Sequence, residues 1–183
     1  MKITKKLIQD IVRAEHTLQG LYVAMGDYID FPLLKLPTAG PPATTKELSS
    51  LKAYLVKKHL MLPASYASFL MVSNGIKDFG PGSGDSLSLL SIQELMTPPR
   101  QSQLRMYPSL SRFNIARGET LEFIAFDPDT LAEGEMEVVS VSAIGEEVRH
   151  KNFTEFLFAH LKTVNLQIKY AKARKLKQSK KKI

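Results

Sequence analysis

LPASYASFLMVSNG, residues 62–75, is the stretch around which the chain is organised. Pro63 suits the first turn of a helix, where its missing N–H costs nothing. Tyr66, Phe69 and Leu70 recur at i, i+3 and i+4, so one face of that helix is apolar. Asn74-Gly75 stops it, since both residues tolerate the left-handed backbone that ends helices. No side chain in the stretch is an evident acid, base or nucleophile.

Upstream, Thr44 and Glu47 have the spacing of a capping box. They predict a helix with Leu48, Leu51, Leu55 and Val56 on one side, ending near His59. Residues 28–43 hold Pro32, Pro37, Pro41 and Pro42 and read as a strap over the domain, with Phe31, Leu33, Leu34 and Leu36 tucked down. Before the strap, residues 4–25 form a long amphipathic helix. Leu7, Ile8, Ile11, Leu18, Leu21 and Tyr22 make its apolar stripe, and Gly26 its end.

Downstream, Gly80, Pro81, Gly82 and Gly84 mark a loop. No Lys-Ser or Lys-Thr follows it, so it is a turn or a lip beside a binding surface rather than a phosphate cradle. Residues 86–90 alternate as a short strand. Ser91 and Glu94 make a second capping box, for a helix ending before Pro98-Pro99, and residues 100–112 fit a helix broken at Pro108. Residues 120–126 have the apolar, β-branched and aromatic content of a buried strand. Asp127-Pro128-Asp129 reads as the turn that follows. Residues 135–141 form a half-exposed strand, and residues 142–149 another after a turn at Gly145. Asn152 and Glu155 box the start of a last helix, with Phe153, Phe156, Leu157, His160, Leu161 and Val164 on one face. That helix can run on into the C-terminal segment. If so, Leu166, Tyr170 and Ala173 are the residues to dock on the domain.

The 183 residues suffice for one α+β domain with a core and appendages. The chain contains no cysteine, which removes disulfides, thiolate nucleophiles and Cys-ligated zinc and fits an intracellular protein. Asp10, Arg13 and Glu15 interrupt any signal-peptide core, and no apolar run reaches the ~20 residues that cross a bilayer. The net charge of +7 is concentrated at one end. Residues 166–183 carry Lys169, Lys172, Arg174, Lys175, Lys177, Lys180, Lys181 and Lys182 and no acid. Removing those eight from the 25 Lys and Arg leaves 17 against 18 acidic residues, so the remainder has a net charge of −1. A near-neutral domain carries a basic tail.

The order of these pieces resembles the SUKH superfamily, named for fungal cell-wall-assembly regulators and bacterial toxin-immunity proteins. The residues that carry the resemblance are Leu62-Pro63, Tyr66, Phe69-Leu70 and Asn74-Gly75, then Ser91 to Leu95, Phe123 to Asp127, and Phe153 to Leu157. The match covers residues 44–161, so the likeness assigns residues 44–165 to a SUKH-like domain. The helix and strap of residues 1–43 and the tail of residues 166–183 lie outside it. The resemblance implies an α+β fold with a mostly antiparallel sheet and helices packed on it. It also implies a binding module rather than an enzyme. No cofactor and no metal are expected. Many bacterial members are cytoplasmic immunity proteins that block a cognate toxin, and fungal members resemble signalling adaptors. The matched residues then serve as fold markers.

Three groups are candidates for chemistry. FIAFDPDTL, residues 123–131, is similar to the nucleophile motif of haloacid-dehalogenase-type phosphatases. That motif wants Thr or Val where Leu131 stands and lies early in an alternating α/β chain, so a β-turn capped by Asp side chains is the better reading. Asp127, Asp129, Glu133, Glu135 and Glu137 lack the regular oxygens and placed Gly of a calcium loop. They form a solvated acidic rim, the first place to look for a basic protein partner such as a toxin domain. The tail lysines can grip phosphates or an anionic membrane surface, or simply keep the chain soluble. His16, His59, His150 and His160 show no metal-ligand spacing, His160 reads as a packed core histidine, and there is no G-x-S-x-G elbow. The expectation is a toxin-neutralising binding protein acting by occlusion. The alternative is a regulatory or nucleic-acid-associated adaptor using the basic tail.

Overall fold

The ring of Tyr66 is fully buried and meets Phe69, Phe113, Phe126 and Phe153. Three of these contacts are edge-on, the arrangement that sets the positive rim of one ring against the face of another, worth about 0.5–1.5 kcal/mol beyond the area buried. The partners come from four separate elements, so the residue 62–75 segment is the hub of the core. The computed structural model describes residues 2–25, 36–79, 87–97, 107–117, 123–142 and 145–180. The expected Gly80–Gly84 loop, the residues 100–106 ahead of Pro108, and Phe31, Leu33 and Leu34 of the strap lie outside those residues.

Among the described residues the elements are α1 (Lys5–Met25), β1 (Thr38–Ala39), α2 (Thr45–Lys57), α3 (Ala64–Leu70), β2 (Ile76–Phe79), β3 (Leu87–Leu89), α4 (Ile92–Leu95), a 3-10 helix (Leu110–Phe113), β4 (Ala116–Arg117), β5 (Phe123–Ala132), β6 (Glu135–Val141), β7 (Glu147–His150) and α5 (Phe153–Lys180). The strands form two antiparallel sheets, in the orders β1-β2-β3-β4 and β5-β6-β7. The Ile115 N–H donates to the Ile124 carbonyl at 2.8 Å, and Asn114 bridges Ala125, which joins the two sheets. Helices cover them, and the whole is an α+β domain.

The two expected capping boxes ahead of β4 are present. Thr44 and Glu47 cap α2, and Ser91 and Glu94 cap α4, each with bonds in both directions. At α5 the box is half formed. Asn152 Oδ1 accepts the Glu155 N–H at 2.9 Å, but the Glu155 carboxylate reaches back to the N–H of Lys151. The α2 stripe of Leu48, Leu51 and Leu55 packs inward, whereas Val56 is exposed, one residue round the helix from Leu55. His59 takes φ 56 and closes that helix.

Three expectations are corrected. First, α3 stops at Leu70, well short of Asn74. The strap takes over there: Asn74 N–H donates to the Pro41 carbonyl at 2.8 Å and Gly40 N–H to the Gly75 carbonyl at 3.0 Å, so Asn74-Gly75 is held by neighbours rather than by the helix. The strap itself grips through its backbone. Thr38–Ala39 pairs with β2, the Pro37 carbonyl hydrogen-bonds His16 Nε2 at 3.0 Å, and Leu36 is exposed, not tucked down.

Second, Asp127-Pro128-Asp129 lies inside β5, and the hairpin turns at Glu133-Gly134. Both turn residues have positive φ, 52° and 77°, the geometry whose twist matches the flanking strands. The register shifts between Asp127 and Ala132, and Pro128 sits in that irregularity on the outer strand of its sheet, where a missing donor is tolerated.

Third, α5 continues through the basic segment to Lys180 but docks by a different face. The start of the chain (Ile3, Leu7, Ile8, Ile11) shares a core with Phe153, Phe156 and Leu157, and Ala14 and Leu18 share one with Val164, Ile168 and Ala171. The two helices therefore lie side by side in the same direction. Leu157, Val164 and Ala171 repeat every seven residues, with Leu161 and Ile168 between them, and this seam faces α1. Leu166 and Tyr170 fall on the opposite side and are 48% and 67% exposed; Ala173 is exposed as well. Within the seam, Glu15 is buried and hydrogen-bonded to His160 Nε2 at 2.5 Å.

Candidate functional site

The five carboxylates expected as one solvated rim are divided by the sheet register. Asp127 stands opposite Glu137, and Arg149 pairs with Val139 two residues along on the same face, so the Arg149 side chain crosses diagonally between the two acids. Its Nη1 donates to Asp127 Oδ2 at 2.9 Å and to Glu137 Oε2 at 3.1 Å, and Nη2 lies 3.6 Å from Glu147. Its hydrogen bonds to Asp127 and Glu137 push the guanidinium further above its already high ordinary pKa. Asp127 is buried, and its other oxygen accepts the Asp129 N–H at 3.2 Å. Both oxygens of the would-be phosphatase nucleophile are thus engaged by groups of the chain itself.

Glu135 performs a different task. Pro63 offers no side-chain cap to α3. Glu135 Oε1 accepts the Ser65 N–H at 2.7 Å, Oε2 accepts the Ser65 hydroxyl at 2.6 Å, and the Gly134 carbonyl accepts the Ala64 N–H at 3.1 Å. The hairpin turn of the second sheet therefore caps the first turn of α3 from outside. Ser65 Oγ also accepts the Phe153 N–H at 3.3 Å, which ties the start of α5 to the same point. Of the five, Asp129 and Glu133 remain well exposed and Glu137 partly so; Asp129 is 3.6 Å from Arg112.

Arg112 joins this charged margin to a cavity. A cavity of about 380 Å³ opens between α2, α4 and the 3-10 helix. Leu55, Leu60, Leu90, Leu95 and Phe113 supply its apolar surface. Tyr54, Lys58 and Arg112 supply its polar edge, with Lys58 Nζ 4.7 Å from the Tyr54 ring centre. On the far side of α4 lies a second, more open cleft of about 660 Å³, lined by Gly40, Asn74, Lys77 and Gln93 among others. Glu94 and Thr97 border both. Asn74 positions the helix that separates them: its Oδ1 accepts the Ile92 N–H at 2.7 Å. Burial raises the Tyr66 hydroxyl far above its ordinary pKa, with the Glu94 charge adding to the effect, so it stays protonated beneath this surface.

The tail residues Lys169, Lys172, Arg174, Lys175 and Lys177 lie exposed on α5. Lys180 is its last residue, and Lys181 and Lys182 are outside the described residues. His150 is partly buried against Phe156, and its pKa is lowered chiefly by desolvation. His160 is partly buried, stacked on Phe79 with ring centres 4.2 Å apart and bonded to Glu15. Among the described residues no cluster of His, Asp or Glu is placed to hold a metal ion, and no helix is long and apolar enough to cross a membrane.

Sequence reading missed the Ser65–Glu135 cap, the Arg149 bridge and the Glu15–His160 pair. Only the last left a local signal, a lone acid and a lone histidine each set in an apolar helix stripe. No protein-family model and no curated protein matches the chain. The SUKH resemblance therefore rests on the motif residues themselves.

Proposed function

We propose that this chain is a non-enzymatic binding module of the SUKH type, working in the cytoplasm, whose partner is a toxin domain neutralised by occlusion. The observation that supports this reading is the continuity between the α4 cavity and the charged β5–β7 face. Arg112 borders the cavity and reaches Asp129 at 3.6 Å, so an apolar floor meets a charged margin in one surface. Protein interfaces combine an apolar, desolvated centre with a polar rim in this way. The motif residues Tyr66, Asn74 and Gly75 lie behind that surface and hold it in place, in keeping with their reading as fold markers.

The test is capture of the native partner followed by a survival assay. Full-length protein should hold one protein partner in a one-to-one complex that resists moderate salt. Expressing that partner alone should arrest growth, and co-expressing this chain should restore it. Tyr54→Ala combined with Arg112→Glu should weaken the complex by at least about tenfold, since aromatic and Arg side chains dominate interface energies. Arg112 is exposed and its ion pair is a surface one, whereas Tyr54 packs against the main core, so far-UV circular dichroism checks the fold of the double variant and Arg112→Glu is also measured alone. A captured partner that is harmless when expressed alone would sink the immunity reading, and full binding by the double variant would sink this surface.

A further inference from the structure

The outward face of α5 mixes exposed apolar and cationic side chains. Leu166, Tyr170 and Ala173 follow one another at i, i+4 and i+7, and Lys177 continues the stripe. Lys162, Lys169 and Leu176 form the adjacent stripe at intervals of seven. Leu166, Tyr170 and Leu176 are 48%, 67% and 64% exposed, while the opposite face of the same helix is sealed against α1 by Val164, Ile168 and Ala171. From Phe156 to the C-terminus the sequence contains no acidic residue. A helix that only needed solubility would not place two leucines and a tyrosine in water among its lysines.

We propose that this outward face of α5 docks on an anionic lipid bilayer. From Lys162 to Lys177 the helix spans roughly 23 Å, enough to lie along the surface in the plane of the headgroups. Leu166, Tyr170 and Leu176 enter the boundary between headgroups and acyl chains. Lys162, Lys169 and Lys177 pair with anionic headgroups, their aliphatic stems lying beside the apolar stripe. The aliphatic residues decide against nucleic acid as the occupant: phosphate binding uses the lysines and one stacking ring, and leaves Leu166 and Leu176 without a task. The α1 seam, which reaches Ala171, holds that part of the helix formed before it meets the membrane, so less ordering entropy is lost on docking.

Vesicle flotation with the full-length protein tests this. Binding to vesicles containing phosphatidylglycerol should be at least about a hundredfold tighter than to pure phosphatidylcholine, and should weaken with salt. Changing Lys162, Lys169 and Lys177 together to Glu should abolish the difference. Leu166→Ser with Tyr170→Ser and Leu176→Ser should reduce binding by about tenfold or more, although every lysine remains. All six positions are exposed, and far-UV circular dichroism checks that each variant stays helical. The chain has no tryptophan, so Tyr170→Trp supplies a single reporter whose emission should shift to the blue on anionic vesicles. Unchanged binding by the serine variant, or no blue shift, would reduce the effect to tail electrostatics and overturn the proposal. Tight binding of a short single-stranded oligonucleotide with no vesicle binding would overturn it in favour of nucleic acid.

Discussion

Asn74 Oδ1 accepts the backbone N–H of Ile92 across 18 residues of sequence, at 2.7 Å. Ile92 is the first residue of α4, whose N–H has no partner within the helix. The side chain that ends the LP…NG segment therefore begins the next helix. Asn74→Ala should cost about 1–2 kcal/mol in urea unfolding, in the range of a lost helix cap. Asn74→Asp retains the acceptor and should lose clearly less. Equal losses in the two variants would show that the bond contributes nothing.

Gly75 has φ +89°, and a Cβ there would lie 2.7 Å from the Leu89 carbonyl oxygen and 2.9 Å from the Ser91 nitrogen. Both neighbours are backbone, so neither can turn aside. Gly134 has a similar φ of +77° with nothing within 4 Å. Gly134→Ala should cost only the left-handed strain, about 1 kcal/mol, and Gly75→Ala more than about 2 kcal/mol. The comparison separates close approach from backbone conformation, and unfolding midpoints for the two variants decide it.

What the sequence made legible is what it encodes within a few residues. The Thr44 and Ser91 boxes, the stop at His59 and the apolar faces of α1 and α5 are local patterns, and they are present. Asp127 and Glu135 were misread as solvated because their partners are remote, whereas Asp129 and Glu133 are exposed as expected. Glu135 caps a serine 70 positions away, and Asp127 meets an arginine 22 away. No spacing rule reports such bonds, and a cluster of acids looks solvated until its partners are placed. The α5 register failed for a related reason. Two apolar stripes share that helix, and only the position of α1 decides which of them is buried.

The Ser65–Glu135 contact therefore gives a sharp contrast with a neighbour in the same acidic run. Glu135→Ala removes the acceptor for one backbone N–H and one hydroxyl and should cost about 2–3 kcal/mol. Glu133→Gln, at an exposed turn position with the same backbone demands as glutamate, should stay within about 0.5 kcal/mol of the parent. Urea denaturation of both variants measures the difference. Similar small losses would return Glu135 to the solvated rim.

His150 supplies a pH dependence. Burial beside Phe156 lowers its pKa below the ordinary 6.5, and Glu155 offsets part of that effect. In the window between the folded and unfolded values the unfolded chain binds more protons, so stability rises with pH there. The contribution is complete above about 6.5 and is lost as pH falls through the depressed folded value. Unfolding midpoints taken from pH 7.5 down to about 5.5, above the range where exposed carboxylates titrate, should fall for the parent chain. His150→Gln removes the titrating group and should flatten that part of the curve. A parent midpoint that stays level across the window, or a variant that falls just as steeply, would mean that the imidazole is hydrated alike in both states and that its packing on Phe156 does not exclude water.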